Sequence, residues 1–152
     1  MRGHALAVVF ALSQLLLLGR GVAQEAGEDA RVVAWLDANG AQIDALYRHL
    51  HQNPELSFRE VKTAARMAKE LRAIGVEVTE RGGGNGVVGV LRCGDGPVVL
   101  LRADMDGLPV AEETGLPYAS KIRAESADGR AIGVMHACGH DVHMSCLIGV
   151  AR

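Results

Sequence analysis

Residues able to stack on nucleic-acid bases are scarce in this chain: one Trp, two Tyr and two Phe among 152 positions. The formal net charge is −2, with no basic stripe behind it. Both the electrostatic footprint and the stacking surface of a nucleic-acid binder are therefore missing, and that partner class is excluded. Cysteine is scarce as well. Cys93, Cys138 and Cys146 are odd in number and too few for a disulfide framework. A Cys93–Cys146 bridge is conceivable, but the expectation for these two is a pair of small buried hydrophobes. Cys138 stands apart because its neighbours are imidazoles, the setting of a thiolate ligand.

No stable membrane anchor is expected either. The apolar run from Ala5 to Leu18, broken only by Ser13 and Gln14, falls short of the roughly 20 residues that cross a bilayer. Arg2 and His4 precede it and the small residues Gly21-Val22-Ala23 follow it, which predicts a secretory signal over residues 1–23. Its removal leaves 14 basic against 18 acidic side chains, a mildly acidic mature chain. The expected location is outside the cytoplasm: periplasmic, secreted, or in a secretory lumen.

What is present is enough for one domain or part of one. Apolar residues make up 49% and charged residues 22%, the balance of a globular chain with one moderate core. From about Asp29 to Leu50, apolar residues recur at helical spacing, and Asn53-Pro54 ends that element. Ser57 followed by Glu60 fits a capping box for a second helix, about 58 to 74, with Gly75 as its left-handed C-terminal cap. Three short runs then predict strands: Val76 to Thr79, Val87 to Leu91, and Pro97 to Ala103. The glycine cluster at 82–86 lacks the Gly-Lys-Ser/Thr ending of a phosphate loop and is read as a hairpin turn. Val98-Val99-Leu100-Leu101 is apolar on both faces, as a central strand covered by helices is.

That strand runs into Arg102-Ala103-Asp104-Met105-Asp106-Gly107-Leu108-Pro109. Chemistry in α/β sheets gathers beyond the carboxyl ends of strands, so Asp104 and Asp106 stand where catalytic groups are expected. A turn-forming role is the alternative for both, and Arg102 is either their ion-pair partner or a clamp. Residues 112–118 and 120–130 read as solvated surface loops. Gly133-Val134-Met135 reads as a short strand delivering the next segment, and a helix is expected from about Asp141.

Between that strand and that helix lies the densest chemistry of the chain, His136-Ala137-Cys138-Gly139-His140-Asp141-Val142-His143. In extended backbone Cys138 and His140 face the same side, and Gly139 lets the chain approach an ion. Thiolate and imidazole suit zinc and its transition-metal neighbours. A catalytic metal site, a Cys nucleophile with a His base, and a structural histidine cluster all remain open on these residues alone. The run lies close to Arg152, so a site built on it is expected to need ligands from residues beyond the chain.

Three segments, His51-Gln52-Asn53-Pro54-Glu55-Leu56-Ser57-Phe58, the Arg102–Pro109 run and Met135–His143, resemble in order and spacing the N-terminal part of the M20 peptidase family. More narrowly they are similar to its amidohydrolase branch, which includes hippurate hydrolases, N-acyl-amino-acid deacetylases and plant auxin-conjugate hydrolases. The resemblance covers residues 30 to 152. It implies an α/β fold, part of a zinc-aminopeptidase-like catalytic domain with a mixed sheet covered by helices, over residues 24–152. It implies a metal-dependent amidohydrolase with two divalent ions (Zn, Mn, Co or Ni), a small-molecule N-acyl amino acid or amide conjugate as substrate, and homodimers at full length. By the same resemblance Cys138 and His140 are metal ligands and Asp104 is the active-site carboxylate that supports them. Asp106, His136 and His143 receive no role. The family's general base lies in a Glu-Glu pair beyond the Cys/His motif. Glu112-Glu113 precedes the motif and cannot stand in for it, so the expectation is an N-terminal fragment, inactive alone.

Overall fold

The computed structural model describes residues 29–126 and 128–152. The predicted signal, residues 1–23, lies outside them. The chain divides into two units between Ala41 and Gln42, and everything that positions the candidate site belongs to the second, Gln42–Arg152. Among the described residues no helix is long and apolar enough to cross a membrane.

Residues 29–52 are helical (α1). Within the second unit, Leu46 and Leu50 are each 2% exposed. Asn53 closes the helix by donating from its backbone to the Leu50 carbonyl (3.1 Å) and from its side chain to the His49 carbonyl (2.7 Å). Pro54 then has no N–H with which to continue. The next helix, α2, spans Val61–Ala73 rather than starting at 58, and the expected Ser57–Glu60 box does not form. Phe58 adopts φ +64°, which breaks the helical path, and Glu60 accepts the Phe58 N–H instead (2.9 Å). The cap comes from further back: Glu55 accepts both the backbone N–H and the hydroxyl of Thr63, at 2.7 and 2.9 Å. Any acceptor that reaches an orphan donor of the first turn satisfies it, wherever it lies in sequence. The other end follows expectation. Gly75 is left-handed (φ +82°), with Val76 N–H bonded to Leu71 O (3.2 Å) and Gly75 N–H to Arg72 O (3.0 Å), a Schellman closure.

Strands β1 (Glu77–Gly82) and β2 (Gly86–Val90) pair as an antiparallel hairpin around the glycine cluster. Leu46, Leu50, Met67, Leu71, Val76, Met144 and Ile148 form the core, drawing on α1, α2 and helix α3 (His140–Ala151). Burying each such side chain contributes about 1.5–3 kcal/mol. Residues 97–103 depart from expectation. They form no strand, and Val98 and Leu100 are 98% and 87% exposed. An apolar run becomes a central strand only where neighbours offer backbone partners on both edges, and among the described residues none do.

The expected surface loop at 120–130 holds a second antiparallel hairpin, β3 (Arg123–Glu125) with β4 (Ala131–Gly133). The fold class is thus α/β, as expected. Instead of one mixed sheet, the described strands form two two-stranded antiparallel sheets. The motif at 102–109 is stitched between two neighbours. Gly107 N–H bonds Glu55 O (2.7 Å) through a parallel bridge, and Leu108 exchanges bonds of 2.8 and 3.0 Å with Met135. Cys93 and Cys146 are exposed rather than buried. On α3 the inward face is taken by Asp141, Met144, Ser145 and Ile148, and 100° per residue turns Cys146 outward between Val142 and Val150.

A buried charge cluster joins these pieces. His51, on the inward side of α1, is 5% exposed. Its Nδ1 lies 2.6 Å from Asp141 Oδ2 and its Nε2 3.0 Å from Glu112 Oε1, with both carboxylate side chains at most 2% exposed. Ionised carboxylates only accept, so both ring nitrogens donate and the ring is an imidazolium. Burial pulls the His51 pKa down, but the hydrogen bonds and charges of Asp141 and Glu112 outweigh it and leave the pKa raised. Burial likewise pushes Glu112 up, and Thr114, the Ser120 N–H and His51 together bring it below its usual value. The expectation that Glu112 sits in a solvated loop is therefore corrected: its side chain is fully buried. Tyr118, with Arg48 stacked 4.4 Å from its ring centre, covers the cluster edge-on, 5.5 Å from the His51 ring.

Two outcomes follow. A Cβ at Gly133 falls 2.5 Å from the Ala111 Cα, a backbone atom. Gly133→Ala is expected to cost about 1–3 kcal/mol as overpacking, read by urea unfolding. His51 gives a pH dependence. Because its folded pKa is raised, its contribution is whole below the unfolded value of about 6.5 and drains away as pH climbs through the folded pKa. Thermal melts at pH 6 and pH 8.5 are expected to show a lower Tm at the higher pH, and His51→Gln is expected to flatten that difference.

Candidate metal centre

Cys138 and His140 lie where β4 gives way to α3. The extended backbone expected there is not found. Gly139 is left-handed (φ +77°) and is the N-cap of α3, its N–H reaching His136 O (3.3 Å) and its carbonyl accepting the His143 N–H (3.1 Å). A Cβ at 139 meets nothing within 4 Å. The glycine is thus suited to the sharp turn by its backbone angle, and space plays no part. The turn leaves Cys138 exposed and His140 half-buried.

His140 is the best-oriented of the candidates. Its Nδ1 lies 2.9 Å from both the backbone carbonyl and the carboxylate Oδ1 of Asp106. Two acceptors on one nitrogen fix the proton there, so the lone pair of the neutral ring sits on Nε2, free to bind an ion. Carboxylates and carbonyls behind a histidine orient metal-binding imidazoles in this way. Asp106, left without a role in the sequence, therefore stands behind His140, whereas Asp104 is ion-paired with Arg102, as one reading of that arginine anticipated.

The remaining imidazoles of the run differ from His140. His143 is exposed, its ring centre 6.0 Å from that of His140. His136 is 4% exposed, and among the described residues neither of its ring nitrogens has a hydrogen-bond partner. Burial lowers its pKa against the opposing pull of Asp141, so the ring is neutral near pH 7. An unsatisfied buried polar group of this kind costs about 1–3 kcal/mol.

Among the described residues no three His, Cys, Asp or Glu side chains converge to hold one ion. The structure thus presents two candidate donors on one turn, Cys138 and an oriented His140, while Asp104 stands with Arg102. The residues missed from sequence are His51, Glu112 and Asp141. One signal was available: His51 continues the apolar stripe of Ile43, Leu46, Tyr47 and Leu50, and a polar residue on an inward stripe must find buried partners.

Comparison with known proteins follows this geometry. The sequence pattern of the peptidase family M20/M25/M40 matches residues 100–152, the stretch that carries both Asp104 and the Cys138–His140 turn. A hippurate hydrolase of Campylobacter jejuni is 44% identical over 118 residues, covering 77% of this chain and 28% of that protein. Thermostable carboxypeptidase 1 of Saccharolobus solfataricus is 47% identical over 111 residues, 72% of this chain and 26% of that one. The crystal structure of the Bacillus subtilis protein YXEP, described as a dinuclear metal-binding peptidase, superposes with a TM-score of 0.65 at 38% identity, over 76% of this chain and 30% of that one. The chain thus spans 26–30% of the length of these three proteins. With the matched stretch, the identities and the backbone all in agreement, the chain belongs to the peptidase family M20/M25/M40.

Proposed function

We propose that this chain contributes the Cys138–His140 ligand pair, supported by Asp104, to the two-metal centre of an exported amidohydrolase that cleaves N-acyl amino acids or related amide conjugates. The observation that carries this reading is the Asp106 contact that fixes the Nδ1 proton of His140 and leaves Nε2 for an ion beside an accessible thiol. A thiol and an imidazole fit zinc, cobalt and nickel, and a carboxylate added to them extends the set to manganese. The likeness to a dinuclear metal-binding peptidase and to a hippurate hydrolase favours two ions and an acylated amino acid. Bound there, a metal pair supplies an acidified water and charge stabilisation for the developing oxyanion.

The chain's own residues account for part of that task. His140 is held in one tautomer by Asp106, so its rotation is restrained before any ion arrives. Cys138 offers its sulfur from the adjoining turn. Arg102 pairs with Asp104 and orients it, in the role of a supporting carboxylate. Two donors are fewer than the three protein ligands that a catalytic zinc ordinarily has. The 152-residue chain alone is therefore read as a weak single-ion binder rather than a working enzyme.

Cobalt titration tests the reading. The wild-type chain is expected to develop a thiolate-to-cobalt charge-transfer band, absent in Cys138→Ser. In His140→Ala the same band is expected to need about tenfold more cobalt, consistent with the loss of one ligand or its support. Assays on N-acyl amino acids with added metal are expected to show no turnover above a metal-free control. Turnover by this chain would overturn the incomplete-site reading, and a cobalt band unchanged in Cys138→Ser would overturn the ligand assignment.

A further inference from the structure

The Cys138–His140 turn has no hydrophobic packing of its own to fix it: Cys138 is exposed and a Cβ at Gly139 would touch nothing. Asp106 orients the His140 ring and Leu108 pairs with Met135, but the span of backbone that carries both donors is set from further out. On the C-terminal side of the turn, the next residue is Asp141, 2% exposed. Its Oδ1 accepts the Val142 N–H (2.9 Å), its carbonyl accepts the Ser145 hydroxyl (2.7 Å), and its Oδ2 is taken by His51 Nδ1 at 2.6 Å. On the N-terminal side, the Val134 carbonyl accepts the Ser120 hydroxyl (2.7 Å), and the backbone N–H of that same serine is held by Glu112 Oε2. The other oxygen of Glu112 is taken by His51 Nε2 at 3.0 Å. Both ends of residues 134–141 therefore lead back to one imidazolium, by one hydrogen bond on the α3 side and by three in series on the β4 side.

We propose that His51 is a positioning residue for the Cys138–His140 pair, its two ring N–H groups tying Asp141 and, through Glu112 and Ser120, Val134, so that the turn between them is held at a fixed span. His51 touches neither Cys138 nor His140 and takes no part in the chemistry. A planar ring with two opposed donors serves both carboxylates at once. Glutamine or asparagine presents a single amide at one end, and lysine a single ammonium centre. The effect on metal binding rests on the ligand assignment proposed above. The effect on the turn does not.

The test is amide hydrogen exchange on the metal-free chain, comparing peptides over 134–142 with peptides over α2. The variants are His51→Gln and His51→Gln/Asp141→Asn. The double variant conserves the cluster's net charge, and so guards against a single variant that fails to fold. In the double variant, and in the single where it folds, exchange over 134–142 is expected to quicken at least tenfold while α2 changes less than twofold. Unchanged exchange over 134–142 would overturn the proposal, as would an equal loss in α2, which would make His51 a general stabiliser. Cobalt titration of the same proteins adds a readout that a purely structural role leaves alone. The Cys138 charge-transfer midpoint is expected to rise about tenfold while a Tm-matched core control outside the relay, Leu71→Ala on α2, keeps the wild-type midpoint. A wild-type chain with no cobalt band would refute the ligand assignment and leave the exchange experiment to decide the role of His51.

Discussion

A buried imidazolium between two buried carboxylates is the interaction on which the rest of this unit hangs. His51, Asp141 and Glu112 come from α1, α3 and the connection before β3, so the cluster ties three separate elements at one point. Such a cluster is costly to assemble, since each charge gives up its hydration, and removing one partner from a buried pair costs about 3–5 kcal/mol. Its worth lies in definition. A hydrophobic contact tolerates sliding, whereas an N–H held 2.6 Å from one carboxylate oxygen permits one arrangement of the two backbones. The Schellman closure of α2 and the leucine and methionine core hold the helices together. The charge cluster determines where the start of α3, and therefore the turn before it, stands.

The sequence made some of this legible and hid the rest for identifiable reasons. Local rules survived where local groups decide: Asn53-Pro54 ends α1, Gly75 closes α2, and the glycines at 82–86 turn a hairpin. Capping failed where the acceptor came from a distance, because Glu55 outcompetes Ser57 for the first turn of α2. The loop reading of 112–130 failed for a similar reason. Polar residues there satisfy buried partners, as Glu112 and Ser120 do, and composition alone does not distinguish a side chain that faces water from one that faces a buried cation. At the site itself, the motif gave Cys138 and His140 as neighbours, but it could not show that Asp106, rather than Asp104, is the aspartate at hydrogen-bond distance from the histidine.

The apolar run at 98–101 shows the converse. Its side chains read as a strand buried on both faces, yet Val98 is 98% exposed. Helix α3 carries the same tension, with Val142, Cys146 and Val150 on its outward side and Met144 and Ile148 on its inward one. A side-chain pattern records the environment in which a segment is stable, and periodicity carries no information on whether the surrounding residues supply it. The charge cluster is self-contained in a way these apolar faces are not, since all three of its members lie within Gln42–Arg152.

Four histidines around this site show that density of ligand-type residues is a poor guide to ligand identity. The partners on the ring nitrogens are a better one. His51 has a carboxylate on each nitrogen and is committed to charge, so it has no lone pair to give. His140 has both acceptors on Nδ1, which leaves one lone pair on Nε2. His143 is exposed, its ring centre 6.0 Å from that of His140, and among the described residues no hydrogen bond fixes its tautomer. His136 is buried and neutral, with neither nitrogen engaged, and so lacks the backing contact that orients a ligand. By that criterion one imidazole of the four is prepared to bind an ion, and it is prepared by an aspartate 34 residues away and placed by a second histidine that binds none.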